Sequence, residues 1–498
     1  MNALIISEMI KRIICWRWKA SFVVFLVLIL IGSHWWFSGS RNRRKVPVLL
    51  RYFNSNDHNE RGVGNETLIW TSGFNNDSQA DQYCNPSEAP VKGAEGLMVR
   101  MKKLISVHVF IRHGDRSPIH NLKRGGPVKL NCKINLTEYS HHKTLHSYVD
   151  NLARTSKWRH NYDAFRHTDT FPNKSDCGDG QLTPKGVVQL LDLGRYLGNI
   201  YNKELGLLRR GFLRENVLIR STKYPRTYQS SLAFLYGFLP NFRVQDLYVT
   251  EQQTVSFCST KHFHRPCYCH AVRKYHQLIA RELKQQNRSA SQRLLLELER
   301  KYQITIKETD ATAFLDAVMG RYCHGKRIDV ACLNSGSCNA ADLISDLWKI
   351  SNSYMRRQLR SVSYQRLQLL LMHPVLYEIA HRMNMNSHLP DHRQVKFVLY
   401  SGHDVSLTPL LVALGIHNTK WPPYASRLVL EQYLQESPTG LTHQIRVLYN
   451  GKDMTRKVRF CQKTSTSFTC PLSRFMRFVG TEGFQRYFGV DTFTAACQ

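Results

Sequence analysis

An eight-residue apolar run at Leu104–Ile111 constrains the fold of this chain more than any other feature of its sequence. The run is rich in β-branched residues and predicts a buried strand. Similar runs follow at Val217–Ile219 and Val395–Tyr400, and amphipathic helix patterns lie between them, one of them from residue 183 to about residue 201. Strands that alternate with helices predict an α/β sheet protein.

The middle of the chain, residues 254–389, has a different pattern. Long polar helix patterns dominate this stretch, and six of the thirteen cysteines lie in it. The pattern predicts a helical, disulfide-containing insert between the two parts of an α/β core, residues 101–253 and 390–498. In the second part, Arg427–Leu434 and Gln444–Tyr449 are predicted to be paired strands.

The N-terminal residues 20–37 contain no charged side chain, and two tryptophans close this run as aromatic residues do at a membrane interface. Eighteen residues suffice for a short spanning helix, so we expect an uncleaved signal-anchor. A cleaved signal peptide is the alternative, because the apolar centre is short. An anchor would leave residues 1–19 as a cytoplasmic tail and the polar residues 38–100 as a luminal stem.

Cysteines and glycosylation sequons predict that the chain beyond the run is luminal or extracellular. Cys15 precedes the run, and the other twelve cysteines follow it, an even number that permits six disulfides. Five Asn-x-Ser/Thr sequons also follow it, at Asn65, Asn76, Asn135, Asn173 and Asn287. This compartment excludes nucleic acid as a partner.

The charge balance predicts an anionic partner. Lys and Arg number 69 against 37 Asp and Glu, which gives a formal net charge of +32. Such a surface attracts polyanions. With nucleic acid excluded, anionic glycans and phosphorylated molecules are favoured.

One cluster of His and Cys permits two interpretations. It comprises His262, His264, Cys267, Cys269 and His270. Its spacing matches no standard zinc site, and the compartment is oxidising, so disulfides are favoured over zinc. Connectivity does not follow from the sequence, except that Cys461 and Cys470 are close enough to form a local disulfide.

Three predicted strands end in cationic or acid–base residues, and ligands bind at the carboxyl ends of strands in open α/β sheets. The residues are Arg112, His113 and Arg116 after the first strand, Arg220 at the second, and His403 and Asp404 after the third. Arginine side chains match the oxygens of a phosphate group. A neutral imidazole can attack phosphorus, and a carboxylic acid can protonate the leaving oxygen. A single Arg-His pair at a strand end is usually structural, but three such ends favour a phosphate site.

The segment Arg-His-Gly-Asp-Arg-Ser-Pro at residues 112–118 resembles the signature of the histidine acid phosphatase family, a branch of the histidine phosphatase superfamily. Residues 181–186, 220–227 and 402–404 resemble three further family segments in the same order, and the resemblance covers about residues 100–460. It implies the histidine phosphatase fold, in which helices flank a central, mostly parallel sheet and an inserted helical domain forms a cap.

The resemblance also implies a role for each site residue. His113 would be the nucleophile that carries a phosphohistidine, and Asp404 would be the proton donor. The phosphoryl oxygens would be bound by Arg112, Arg116, Arg220 and His403. Neither a metal nor another cofactor is implied, because the arginines supply the positive charge.

Residues 106–116, 235–240 and 446–451 further resemble Golgi members of the family that remove the 2-phosphate from xylose in the glycosaminoglycan–protein linkage region. This implies a type II Golgi membrane protein with a luminal catalytic domain. Its partners would be a phosphorylated glycan or proteoglycan precursor and linkage-region glycosyltransferases. Two alternatives remain: a broad-specificity secretory or lysosomal acid phosphatase, and a non-catalytic glycan-binding protein of the same fold.

Overall fold

The computed structural model describes residues 78–86, 92–97, 102–120, 128–155, 164–208, 215–239, 241–258, 267–326, 328, 340–437, 440–462 and 468–498. The predicted tail at 1–19, the predicted signal-anchor at 20–37 and most of the predicted stem lie outside these residues. Among the helices that the structure does describe, none combines the length and the apolarity that a membrane crossing requires.

Eight strands within the described residues form one mixed sheet. They are β1 (Lys102–Arg112), β2 (Val217–Thr222), β3 (Val249–Gln252), β4 (Phe397–Gly402), β5 (Arg427–Ser437), β6 (Gly440–Tyr449), β7 (Lys452–Asp453) and β8 (Cys470–Pro471). The order is β3-β2-β4-β1-β5-β6-β7, and β8 pairs with β6. The first four strands in this order are parallel, whereas β5 to β8 pair in the antiparallel sense. The α/β class is confirmed, but the parallel part is limited to the four strands that lead to the site.

Helices of the core flank this sheet, and the α-helices of the insert pack on one another. The α-helices of the described residues are α1 (Gln79–Cys84), α2 (Lys143–Thr155), α3 (Pro184–Gly198), α4 (Pro225–Phe238), α5 (Ala271–Gln285), α6 (Ser289–Tyr302), α7 (Ala311–Tyr322), α8 (Ala340–Arg360), α9 (Val362–Asn386), α10 (Asp404–Leu414), α11 (Leu472–Val479), α12 (Thr481–Phe488) and α13 (Phe493–Ala496). Helix α3 begins after the predicted N-cap, Thr183, whose hydroxyl accepts a hydrogen bond from the Gly186 N–H.

Each face of the sheet buries its own apolar core, because successive side chains of a strand point to opposite faces. Val107, Val109 and Ile111 of β1 pack with helices α2, α3 and α4. Phe110 of β1 and Tyr400 of β4 pack with α9, α10 and α11 on the other face. A strand residue that lies before the end of its strand is therefore committed to one of these two cores.

The structure shifts two predicted domain boundaries. Tyr83 and Cys84, predicted to lie in the stem, are fully buried in the folded domain. Helix α9, predicted to lie in the insert, packs on the sheet through residues such as Val375 and Ile379. Both differences have one cause: polar composition predicts exposure on average, whereas a few apolar side chains decide where a segment packs.

Within the described residues, five disulfides join ten cysteines. The pairs are Cys84–Cys323, Cys132–Cys177, Cys258–Cys267, Cys269–Cys497 and Cys461–Cys470. The predicted local disulfide at Cys461 is therefore confirmed. Cys267 and Cys269 each form a disulfide, which removes the thiolates that the zinc alternative needs. Cys332 and Cys338 lie outside the described residues.

Candidate active site

The carboxyl ends of β1 and β4 bring two histidines together. Arg112 pairs with Gly402 in the parallel ladder, and the His113 N–H donates to the Gly402 carbonyl at 2.9 Å. The imidazoles of His113 and His403 follow with their ring centroids 5.5 Å apart. They line an open cavity of about 380 Å³. Its other charged or polar lining residues include Arg116, Arg226, Asp316, Asp404 and Trp421.

His113 is buried, and a hydrogen bond to one ring nitrogen defines which nitrogen keeps its lone pair. Its Nδ1 lies 2.8 Å from the Gly114 carbonyl oxygen. A carbonyl only accepts, so Nδ1 carries the hydrogen and Nε2 keeps its lone pair. Burial, with Arg226 and Arg112 nearby, lowers the pKa of His113 well below its ordinary value. The lowered pKa favours the neutral imidazole, in which Nε2 has an available lone pair.

Close packing fixes the loop that carries His113. A Cβ on Gly114 would lie 2.2 Å from the Gly186 carbonyl oxygen, so only glycine allows the loop to approach helix α3 this closely. The neighbouring Asp115 accepts a hydrogen bond from the Thr183 hydroxyl at 2.6 Å, and its carboxylate lies 2.7 Å from His324 Nε2. Asp115 thus anchors the loop to the first turn of α3 and to the insert.

Arg112 is fully buried beside the cavity. Its guanidinium donates to the hydroxyl of Tyr83 at 3.0 Å and stacks over the Tyr424 ring at 4.5 Å. Its Nε has no hydrogen-bond partner within the described part of the chain, and lies 3.8 Å from Asp404 Oδ1. An unpaired buried N–H is costly, so it is a ready donor to an anion.

The insert orients Arg116. The Arg116 guanidinium donates to Asp316 of α7 at 2.8 Å and to the Ser117 carbonyl at 2.9 Å. Both partners of this ion pair are almost completely buried. Burial costs Arg116 solvation, but Asp316 outweighs that cost and raises its pKa, so the cation persists at every physiological pH.

Asp404 is the first residue of α10 and lies between an indole and an arginine. The Trp421 indole N–H donates to Oδ2 at 2.6 Å, while Oδ1 faces Arg112. Burial by itself would raise the pKa of Asp404, but Arg112 and Arg116 outweigh burial and lower it. The Asp404 side chain remains 20% exposed, so it can exchange protons with a bound molecule.

His403 is held by a chain of hydrogen bonds from β2 and α4. Its Nε2 lies 2.8 Å from the Thr222 hydroxyl, and its Nδ1 lies 3.4 Å from Arg226 Nη2. Arg226 only donates, so Nδ1 accepts and Nε2 carries the hydrogen. Burial and Arg226 lower the pKa of His403 to about 3.

The structure does not bring Arg220 into this cavity. Arg220 lies inside β2 rather than after it, and its guanidinium donates to Glu378 of α9 at 2.5 Å. The side chains of both residues are only 3% exposed. A strand residue before the end of β2 points into a core, which explains why the predicted phosphate ligand is instead part of a buried ion pair.

Arg226, six residues later, lines the cavity in its place. Its guanidinium stacks over the Tyr224 ring at 4.5 Å. Arg226 was only weakly indicated by the sequence, as one residue of the segment 220–227 that resembles the family. Asp316 and Trp421 carried no sequence signal, since their contacts join segments that are far apart in the chain.

The cavity therefore brings an imidazole with a free ring nitrogen and the Asp404 carboxyl group together with Arg116 and Arg226, and Arg112 lies beside them. Phosphoryl transfer needs such a set of groups. Among the residues that the structure describes, no group of three or more His, Cys, Asp or Glu side chains could hold a metal ion. The positive charge of this site comes from arginine.

This fold and this site define the class of the protein, which is that of the histidine phosphatases. Residues 103–450 match the sequence profile of the histidine phosphatase superfamily (branch 2), and the chain belongs to that superfamily. It is a phosphoric monoester hydrolase.

Curated relatives narrow the class further. The chain is 30% identical to human "2-phosphoxylose phosphatase 1" over 416 residues, which cover 82% of this chain and 84% of that protein. It is 32% identical to the Danio rerio protein of the same name over 437 residues, which cover 81% and 84%. A solved phytase from Citrobacter braakii is 16% identical with a TM-score of 0.47, and the match covers 76% of this chain and 97% of the phytase.

Proposed function

We propose that this enzyme removes the 2-phosphate from xylose in the glycosaminoglycan–protein linkage region, through a phosphohistidine on His113. The observation that carries the chemistry is the buried, neutral imidazole whose Nε2 lone pair is free while Nδ1 is held by the Gly114 carbonyl. The substrate rests on the relatives named 2-phosphoxylose phosphatase, which match this chain over most of their length.

In the first step, the Nε2 lone pair of His113 attacks phosphorus, and the bond between phosphorus and the sugar oxygen breaks. The electron pair of that bond goes to the sugar oxygen, which takes a proton from Asp404. Arg112, Arg116 and Arg226 bind the phosphoryl oxygens and stabilise the charge that develops on them. Because a sugar alkoxide is a poor leaving group, this proton is essential.

In the second step, water attacks the phosphohistidine. The bond between phosphorus and Nε2 breaks, its electron pair returns to the imidazole, and a proton of the water passes to Asp404. Phosphate leaves, and both side chains are back in their starting states. Asp404 can hold the proton during the first step because a bound phosphate adds negative charge beside it, and this raises its pKa.

We also place the catalytic domain in the Golgi lumen, anchored by residues 20–37, as a type II membrane protein. The five disulfides support an oxidising compartment, and the described sequon asparagines Asn135, Asn173 and Asn287 are exposed. Glycosidase treatment should lower the apparent mass, and protease outside sealed microsomes should spare the domain. A protease-sensitive, unglycosylated domain would contradict this placement.

The excess of positive charge supports a polyanionic proteoglycan precursor as the natural substrate. Linkage-region glycosyltransferases that act on the same precursor are proposed partners. Co-purification of a linkage-region glycosyltransferase with the full chain from Golgi membranes tests this, and its absence under mild detergent would contradict it.

The substrate is tested by assaying the purified full chain in detergent on the phosphorylated linkage tetrasaccharide and on an aryl phosphate. We expect kcat/KM to be much higher for the glycan. Comparable turnover of many small phosphomonoesters would favour the broad-specificity alternative. Binding of the glycan without release of phosphate from either substrate would favour the non-catalytic alternative.

A further inference from the structure

A second cavity of about 170 Å³ lies on the other side of Trp421. We propose that it is a saccharide subsite, which binds an anionic sugar of the glycan that continues from the phosphorylated xylose. This proposal rests on the proposed function and extends it, because it assigns a site for a part of the substrate that does not react.

The floor of the second cavity is aromatic and rigid. The ring of Tyr83 lies 4.9 Å from that of Trp421 and 5.4 Å from that of Trp348, and the two indoles are 6.2 Å apart. Tyr83 and Trp348 are buried and support Trp421, whose half-buried ring is the aromatic surface that a ligand can contact. Aromatic walls with a few placed polar groups are typical of small-molecule sites, and the C–H face of a sugar ring packs on such a surface.

The rim of this cavity is polar and positively charged. Gln82 and Asn418 contribute amides, and Lys420 and Lys452 contribute ammonium groups. Both lysines are exposed, and neither has a carboxylate partner within the part of the chain that the structure describes. No Asp or Glu lies among the described residues that line the cavity. Amides suit sugar hydroxyls, and two lysines without partners suit a carboxylate or sulfate group.

Trp421 connects this cavity to the reaction. The same indole lines both cavities and donates its N–H to Asp404. The two cavities therefore share the Trp421 side chain as a wall, which suits two neighbouring sugars of one glycan. No arginine is found among the described residues that line the second cavity, which distinguishes it from the phosphate site.

The test compares the double variant Lys420→Ser, Lys452→Ser with Lys274→Ser, a matched control at an exposed position of α5. Four substrates are used: a 2-phosphoxyloside alone, and the same unit extended by a neutral, a hexuronic acid-bearing or a sulfated oligosaccharide. We expect the double variant to raise KM about fivefold for an anionic extension, with kcat unchanged, because exposed charge pairs contribute modestly. The two anionic arms identify which group is bound. KM for the unextended phosphoxyloside should not change.

Hydrolysis of an aryl phosphate with unchanged kcat/KM shows that each variant is folded. Equal changes on all four substrates, or no change on either anionic one, would overturn the subsite. If wild-type enzyme hydrolysed the aryl phosphate but none of the phosphoxylosides, the proposed function would fall and the subsite with it. An equal effect of Lys274→Ser would show that overall charge, not this cavity, is responsible.

Discussion

Arg220 and Arg226 lie six residues apart in the chain, yet they occupy two different regions of the molecule. Arg220 is buried behind the sheet against Glu378, whereas Arg226 lines the catalytic cavity beside His403. Arg220 lies within β2, so its direction is set by strand alternation. Arg226 lies in the first turn of α4, past the sheet edge. The comparison teaches that a residue inside a strand is committed to a core, whereas a residue past the sheet edge can reach the cavity.

Among changes in the catalytic cavity, His113→Ala should have the largest effect. We expect kcat to fall by at least about 10⁴-fold, because the variant lacks the Nε2 lone pair that attacks phosphorus. Steady-state kinetics measure the fall in kcat. Rapid quench with labelled substrate should trap acid-labile phosphate on the wild type and not on the variant. Trapping of phosphate on the variant would show that the nucleophile lies elsewhere.

Asp404→Asn should have the next largest effect. We expect kcat to fall about 10³-fold for a sugar phosphate, whose leaving oxygen needs a proton. The loss should be far smaller for a nitrophenyl phosphate, whose leaving group is already stable as an anion. Steady-state kinetics on both substrates measure the difference, and equal losses would exclude Asp404 as the proton donor.

The comparison itself is tested by the pair Arg226→Gln and Arg220→Gln. Arg226→Gln should lower kcat/KM about 10²-fold with little change in stability, because it removes one cation from the bound phosphate. Arg220→Gln should lower the free energy of unfolding by about 3 kcal/mol, because it leaves the Glu378 carboxylate buried without one partner.

Denaturant unfolding measures the free energy of unfolding of both variants, and steady-state kinetics measure their kcat/KM. Glu378→Gln is the matched control for the buried ion pair. An Arg220→Gln enzyme of normal stability and strongly reduced activity would reverse the assignment of the two arginines.

The smallest expected effect is that of Trp421→Phe on the pH profile. The indole N–H stabilises the Asp404 carboxylate, and its loss should raise the pKa of that group. Because Asp404 must be protonated in the complex with the substrate, the alkaline limb of kcat should move up by about one pH unit. The acidic limb, which depends on His113, should stay in place. An unmoved alkaline limb would show that the indole only fills space.

The sequence predicted what depends on local pattern. Strand β1, the Thr183 N-cap, the local disulfide at Cys461 and the shared position of His113 and Asp404 at one sheet edge all follow from neighbouring residues. The direction of the Arg220 side chain follows from the alternation of side chains along β2. Predicting it requires the exact residue at which β2 ends. Such boundaries depend on hydrogen bonds between distant strands, and propensity does not contain them.

The groups that support the site could not be predicted from local pattern. Asp316 orients Arg116 from 200 positions later in the chain, and Trp421 reaches Asp404 across a loop. The residue types of Asp316 and Trp421 do not indicate these roles, because each contact forms only when the insert and the core have packed together.

The Cys84–Cys323 disulfide joins residues that are 239 positions apart. Tyr83, the neighbour of Cys84, holds Arg112, and Asp316, seven residues before Cys323, holds Arg116. During synthesis the N-terminal partner is therefore made long before the segment that secures it. Cys84 therefore stays reduced, or in a temporary disulfide, until Cys323 of the insert has been synthesised. We therefore expect the Cys84–Cys323 bond, and with it the fixed positions of Arg112 and Arg116, to form only after translation has passed Cys323.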